Sequence, residues 1–289
     1  MRVLVLGASG MLGHTACRVL SESREVHAAL RKTDGLGSPG RSCFENCTLH
    51  DQIDALDDRQ LTALILTIQP DVVLNCIGIV KQLTTLQNAE NTIRLNALLP
   101  HVLARICSDS GAKLIQMSTD CVFSGKSGFY TEKDRPDPVD LYGQTKLLGE
   151  VSVAPHLTIR TSFIGRELNR KTGLLEWFLS QKENRTPGYT RAIFSGLTSL
   201  ALCEVLEKIL DRAFDTTGIY HVAGAPICKH ELLSLISDEL SLNRDIYPDD
   251  SIACDRSLDG RHFLQSTGIT VPAYDLMIGQ LAKDNQNYE

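Results

Sequence analysis

The 289-residue chain is long enough for one large or two small domains, and 43% of it is apolar, which suffices for a substantial core. A net charge of −6 gives no support for nucleic acid as a partner, and no apolar run approaches membrane-spanning length. Nine cysteines are scattered along the chain, and the closest pair, Cys43 and Cys47, has no second pair at zinc spacing. Reduced, mostly buried thiols and no metal are therefore expected.

The first stretch, Met1 to Leu20, sets the frame. Val3 to Leu6 reads as a buried strand, and glycines follow at positions 7, 10 and 13, ahead of an apolar pattern of helical period. Strand, glycine turn and helix open a dinucleotide-binding βαβ unit, although the spacing is G-x-x-G-x-x-G rather than G-x-G-x-x-G. Gly7 suits the tight turn, Gly10 a close approach of backbone to a pyrophosphate, and Gly13 close helix packing. Ser9, Met11 and Leu12 complete the phosphate-binding turn at a helix N-terminus. The apolar run is short and leads straight into the glycines, so no signal peptide is expected and the protein reads as cytoplasmic.

Arg24 to Leu30 reads as a second strand, ending in Arg31 and Lys32. An NAD site usually carries an acidic residue there; two cations suit a 2′-phosphate instead, which favours NADPH with NADH as the alternative. Gly35 to Arg41 reads as a loop and Cys47 to His50 as a short strand. Asp51 suits either the adenine amino group or the cap of the following helix, which runs to about Ile68. The strand Val72 to Ile77 brings Asn75, Cys76, Ile77 and Gly78 to the edge that lines the ligand crevice of an open α/β sheet. Leu86 to Cys107 reads as a long helix carrying Asn96, with Pro100 inside it, and the strand Lys113 to Met117 delivers Ser118, Thr119 and Asp120 to the same edge. This alternation predicts an α/β fold with a doubly wound parallel sheet.

Tyr142 and Lys146, four apart in DLYGQTKLLGE, share one face of a helix. Ketone reduction needs a proton donor for the forming alkoxide. A phenol whose pKa a nearby ammonium lowers suits that task, and the Thr119 hydroxyl suits holding the carbonyl oxygen.

With these pieces in order, the chain resembles an extended short-chain dehydrogenase/reductase, and within that superfamily the dTDP-4-dehydrorhamnose reductase group. The matching stretches are GASGMLG, PDVVLNCIG, LNALLPHVLA, MSTDCVFSG, DLYGQTKLLGE and IRTSFIGRE, from residue 1 to about 167. The resemblance implies Thr119, Tyr142 and Lys146 as the catalytic trio, with Lys146 also on the nicotinamide ribose and Asp120 beside the reacting carbonyl. It implies NADPH-dependent reduction of the C4 ketone of a nucleotide-diphosphate 4-keto-6-deoxy sugar, without nucleic acid or membrane as partner and compatible with a homodimer. The run NCIGIVKQ departs from the group's Asn-Ala-Ala type, so the sugar pocket around Val80 and Lys81 is expected to differ. The alternatives are a sugar-nucleotide epimerase or dehydratase of the same superfamily, or a regulatory protein like the methionine adenosyltransferase β subunit.

Beyond Thr161 the alternation weakens. A Rossmann domain over 1–162 and a smaller, mainly substrate-binding α/β domain over 163–289 are expected, the latter returning a strand at about 218–224 to the main sheet. Leu174 to Gln181 reads as a helix with Trp177 in the core, and Lys182 to Thr190 as a polar loop. Arg166, Arg191 and Arg256 are candidate cations for a substrate diphosphate, and Val122 a candidate pocket residue. His221 reads as a core histidine, and His14 as a helix-capping or exposed one.

Overall fold

A computed structural model describes residues 1–32, 42–81, 88–169 and 171–288. Its frame is a parallel sheet of seven strands: β1 (Arg2–Leu6), β2 (Glu25–Ala29), β3 (Cys47–His50), β4 (Val72–Asn75), β5 (Lys113–Met117), β6 (Leu157–Arg160) and the late strand Gly218–His221. The order runs from the late strand through β6, β5, β4, β1 and β2 to β3. Chain progression therefore reverses between β1 and β4. The carboxyl ends of the strands beside such a reversal form the ligand crevice of an open sheet.

The near-continuous apolar strands follow from burial on both faces. Side chains alternate across the sheet, so Val3, Val5, Val72, Leu74, Ile115, Leu157 and Ile159 join one core and Leu4, Leu6, Val73 and Leu114 the other. The first core is closed by α1 (Met11–Leu20) and the helix Ser199–Arg212; the second by α2 (Asp58–Ile68) and the helical run 89–110. Among the described residues, no helix is long and apolar enough to cross a membrane.

Several elements differ from the sequence reading. β4 stops at Asn75, because the Asn75 carboxamide turns the chain: Oδ1 accepts from the Ile77 N–H (3.1 Å) while Nδ2 donates to Gln116 Oε1 (2.7 Å). Asp57, not Asp51, caps α2, accepting from the Arg59 and Gln60 N–H groups. The helix read from Leu86 is described from Ala89 onward, residues 82–87 lying outside the described residues, as does the loop read over Gly35 to Arg41. Between Ala89–Ile93 and Leu99–Ser110 it opens into a π turn, Arg94–Leu98. Pro100 brings no N–H to the ladder and its ring crowds the carbonyl four residues back, that of Asn96; the wider turn accommodates both effects.

The polar run Lys182 to Thr190 contains a strand, Arg185–Tyr189, paired in parallel with Asp245–Asp249. Its partner lies sixty residues away and the ribbon has only two strands, where Pro187 and Pro248 are tolerated. Trp177 is 38% exposed; the seven-residue helix Leu174–Ser180 buries Leu175, Glu176 and Phe178 instead.

Helix α1 lies directly on the glycine turn. A Cβ on Gly13 would stand 2.2 Å from the Gly7 carbonyl oxygen and 2.8 Å from Ala8 Cα, both backbone atoms that cannot rotate aside. Gly13→Ala is expected to cost about 1–3 kcal/mol through overpacking. Urea unfolding checks this as a lower midpoint at unchanged slope; an unmoved midpoint would mean that α1 can slide off the turn without cost.

Candidate active site

At the crevice the glycine turn faces the end of β4. Gly7 adopts φ 75°, and Gly10 is the N-cap of α1 with no side-chain cap hydrogen bond. Gly10 is exposed, and Ser9 and Met11 are half-buried, whereas Leu12 and Gly13 are buried in the packing of the helix. A helix start without a side-chain cap, at the sheet reversal, fits a dinucleotide diphosphate. Arg31 and Lys32 are exposed beyond the end of β2 and Asp51 beyond β3, on the adenosine side of such a crevice. Cys76 follows β4 with its thiol pushed up to about 12 by burial. The carboxamide of buried Asn96 is committed to the loop that follows β4, with Nδ2 donating to the Ile79 carbonyl (3.0 Å) and Oδ1 accepting from the Ile79 N–H (2.9 Å). It therefore acts through the backbone that follows Ile77 and Gly78.

Thr119 caps the single turn Asp120–Val122 that follows β5, accepting from the Cys121 N–H (3.2 Å). The helix Leu141–Leu148 starts on Asp140, whose carboxylate accepts from the Gly143 N–H (2.8 Å). This helix can approach the Thr119 turn because position 143 is glycine: a Cβ there would lie 2.2 Å from the Cys121 carbonyl oxygen. The result sets the Thr119 side chain beside the Tyr142 phenol, with the Thr119 hydroxyl donating to Asp120 Oδ1 (3.2 Å). One turn on, buried Lys146 donates from Nζ to the Met117 carbonyl (2.5 Å).

The electrostatics reverse one expectation. Burial pushes the Tyr142 phenol well above its ordinary value; Cys121, Asp120 and Asp140 act in the same direction and only the Thr119 hydroxyl opposes them. The Lys146 ammonium is turned to the Met117 carbonyl. Burial lowers Lys146 itself to about 8, against the pull of Glu150 and Cys76. A phenol held protonated at neutral pH is a donor, and reduction of a carbonyl requires a donor.

The residues read as the substrate side fall into two groups. Asp120 is buried, which raises its carboxyl, with Arg256 and Lys229 opposing. Arg256 donates from Nε to the Phe123 carbonyl (2.9 Å). Burial works against its guanidinium, but Cys121, Cys254, Asp120 and Asp140 hold its pKa above the ordinary value. Lys81 pairs with Asp140 at 2.8 Å, and Val80 is 37% exposed beside it.

The structure does not bring the other three to this cluster. Val122 is fully buried with Phe123, Tyr130 and Leu258, and its carbonyl accepts from the Asp137 N–H, so it is core rather than pocket. Arg166 is held by Glu176 (2.7 Å), by Asn285 and over the Tyr288 ring, because three segments distant in sequence converge on it. Arg191 is exposed, and its carbonyl accepts from the Cys254 N–H.

His14 neither caps nor is exposed: it is fully buried, Nδ1 on the Gly10 carbonyl (2.8 Å) and Nε2 on the Tyr288 hydroxyl (2.7 Å), and burial lowers it to about 4. Sequence reasoning passed over Lys229, which lies 4.0 Å over the Phe194 ring, with burial lowering it to about 8 against the pull of Asp120. It also passed over Glu150 and Arg160. Lys229 reaches the site through the pairing of Ile227–Cys228 with Ile193–Phe194, a register that no local pattern announces.

A doubly wound sheet with Thr119, Tyr142 and Lys146 converging beside an uncapped first helix defines a Rossmann-type, extended short-chain dehydrogenase/reductase. Residues 1–258 match the family model described as RmlD substrate binding domain, and the chain belongs to that family. It is 34% identical over 234 residues to a protein named as a probable low-salt glycan biosynthesis reductase, Agl14, of Haloferax volcanii, covering 78% of this chain and 75% of that one. It is also 33% identical over 265 residues to the methionine adenosyltransferase 2 subunit beta of Rattus norvegicus, covering 83% and 72%. Among solved structures, a hypothetical dTDP-4-dehydrorhamnose reductase from Sulfolobus tokodaii superimposes with a TM-score of 0.76 at 26% identity, over 95% of this chain and 98% of that one.

Proposed function

We propose that the protein is an NADPH-dependent reductase of the C4 ketone of a nucleotide-diphosphate 4-keto-6-deoxy sugar. The observation that carries this reading is Thr119 set beside Tyr142, whose phenol burial keeps protonated, one helical turn from Lys146. The reduced nicotinamide supplies hydride when bound. The first turn of α1 binds the diphosphate, and Arg31 and Lys32 select the 2′-phosphate. Thr119 and Tyr142 hold the carbonyl oxygen, and Tyr142 gives it its proton. Lys146 stays charged to orient the ribose hydroxyls, and Arg256 and Lys229 face the anionic substrate across Asp120.

Similarity to the methionine adenosyltransferase subunit supports a second reading, a regulatory partner without turnover. Absorbance of NADPH with a panel of nucleotide 4-keto-6-deoxy sugars separates the two. Stoichiometric oxidation with one sugar is expected, with NADPH preferred to NADH. Cofactor binding without oxidation by any sugar would sink the reductase reading.

A further inference from the structure

Behind Thr119, Tyr142 and Lys146 lies a buried polar chain of Ser118, Glu150, Arg160 and His221. Glu150 and Arg160 form a bidentate ion pair, Nε to Oε1 at 2.8 Å and Nη2 to Oε2 at 2.7 Å, with both side chains 5% exposed. Glu150 Oε1 also accepts from the Ser118 hydroxyl at 2.7 Å. The far side of Arg160 is fixed too: Nη1 donates to His221 Nε2 (3.3 Å), and His221 Nδ1 donates to the Tyr130 carbonyl (3.0 Å).

Ser118 stands between the two groups that matter for the chemistry. Met117 before it supplies the carbonyl that holds Lys146, and Thr119 after it lies beside Tyr142. Glu150 lies one turn beyond Lys146 on the same stretch of chain. We propose that Glu150 is the positioning residue of this site: clamped by Arg160, it ties the end of β5 to the Tyr142–Lys146 helix through Ser118.

The inference rests on the reductase reading for its kinetic consequence but not for its geometry. The titratable groups facing Lys146 are Glu150 from its own end of the helix and Cys76 from the end of β4, and both favour its charged form. In the wild type, turnover should fall as pH rises through about 8, where Lys146 loses its proton. Glu150→Gln removes the carboxylate charge that faces Lys146, so this limb should move down by about one pH unit. Ser118→Ala keeps the ion pair and cuts the tie. It should lower kcat about ten- to a hundredfold with little change in KM for the cofactor, the limb staying in place.

Lysine Nζ resonances in 15N-labelled protein, with the Lys146 signal assigned by its loss in Lys146→Arg, read the same property without turnover. Glu150→Gln should shift the titration to lower pH, and Ser118→Ala should move the Nζ resonance as the bond to Met117 loosens. A protein that oxidises no NADPH but shows these shifts would lose the reductase reading and keep this one. Kinetics and Nζ signals unchanged in Ser118→Ala would overturn it, whether or not Glu150→Gln folds.

Discussion

Tyr142→Phe should leave a folded protein that binds its cofactor and reduces ketone about 10²–10⁴-fold more slowly, the usual worth of a positioned proton donor. The substitution removes one oxygen from a half-buried side chain, leaving the cap on Asp140 and the Gly143 contact with Cys121 as they are. What disappears is the donor. Burial and the surrounding Cys121, Asp120 and Asp140 keep the phenol protonated, so near pH 7 almost every molecule carries the proton to be given. Thr119 retains its hydroxyl and can still hold the carbonyl oxygen, so substrate KM should change much less than kcat. Steady-state NADPH oxidation, alongside a fluorescence titration of the cofactor, measures both. A variant that kept a tenth or more of wild-type turnover would place the donor elsewhere, with Asp120, whose carboxyl burial raises, the first group to test.

The sheet was legible because its strands are buried on both faces, which leaves runs such as VLVL and VVLN with few alternatives. The glycine turn was legible for a related reason. The close contact between position 13 and the Gly7 carbonyl admits only glycine, so the sequence records the geometry directly. Thr119, Tyr142 and Lys146 were picked out as candidates through spacing on a helix and at a strand end, both local. The protonation of Tyr142 was not, since it depends on how deeply the crevice desolvates the phenol and on which way Lys146 turns.

The substrate side was read least well, for the same reason. A cation in a loop says nothing of its partners. Arg166 is consumed by Glu176 and the Asn285–Tyr288 segment, whereas Lys229, which nothing in its neighbourhood marks, arrives beside Asp120 through strand pairing. Trp177 erred in the opposite direction: a large aromatic is usually inside, but a seven-residue helix has only one inward face, and Leu175 and Phe178 occupy it.

Arg160→Met should be the most destabilising single change at the buried chain behind the site. It strands Glu150, a carboxylate 5% exposed, on the Ser118 hydroxyl and leaves His221 Nε2 without its donor. Removing one partner of a buried ion pair costs about 3–5 kcal/mol, because the remaining charge stays desolvated and unpaired. At 289 residues that corresponds to a melting temperature about 5–8 °C lower. The double variant Glu150→Leu/Arg160→Met should recover most of the loss, since two apolar side chains of similar volume replace the pair without an orphaned charge. Differential scanning calorimetry of the wild type, the single and the double variant decides it. If the double were as unstable as the single, the loss would come from packing against Phe123, over whose ring the Arg160 guanidinium lies at 5.3 Å, rather than from the charge. Recovery of stability without recovery of turnover would separate what the pair does for the fold from what Glu150 does for Lys146, because the double variant restores the core and still lacks the carboxylate.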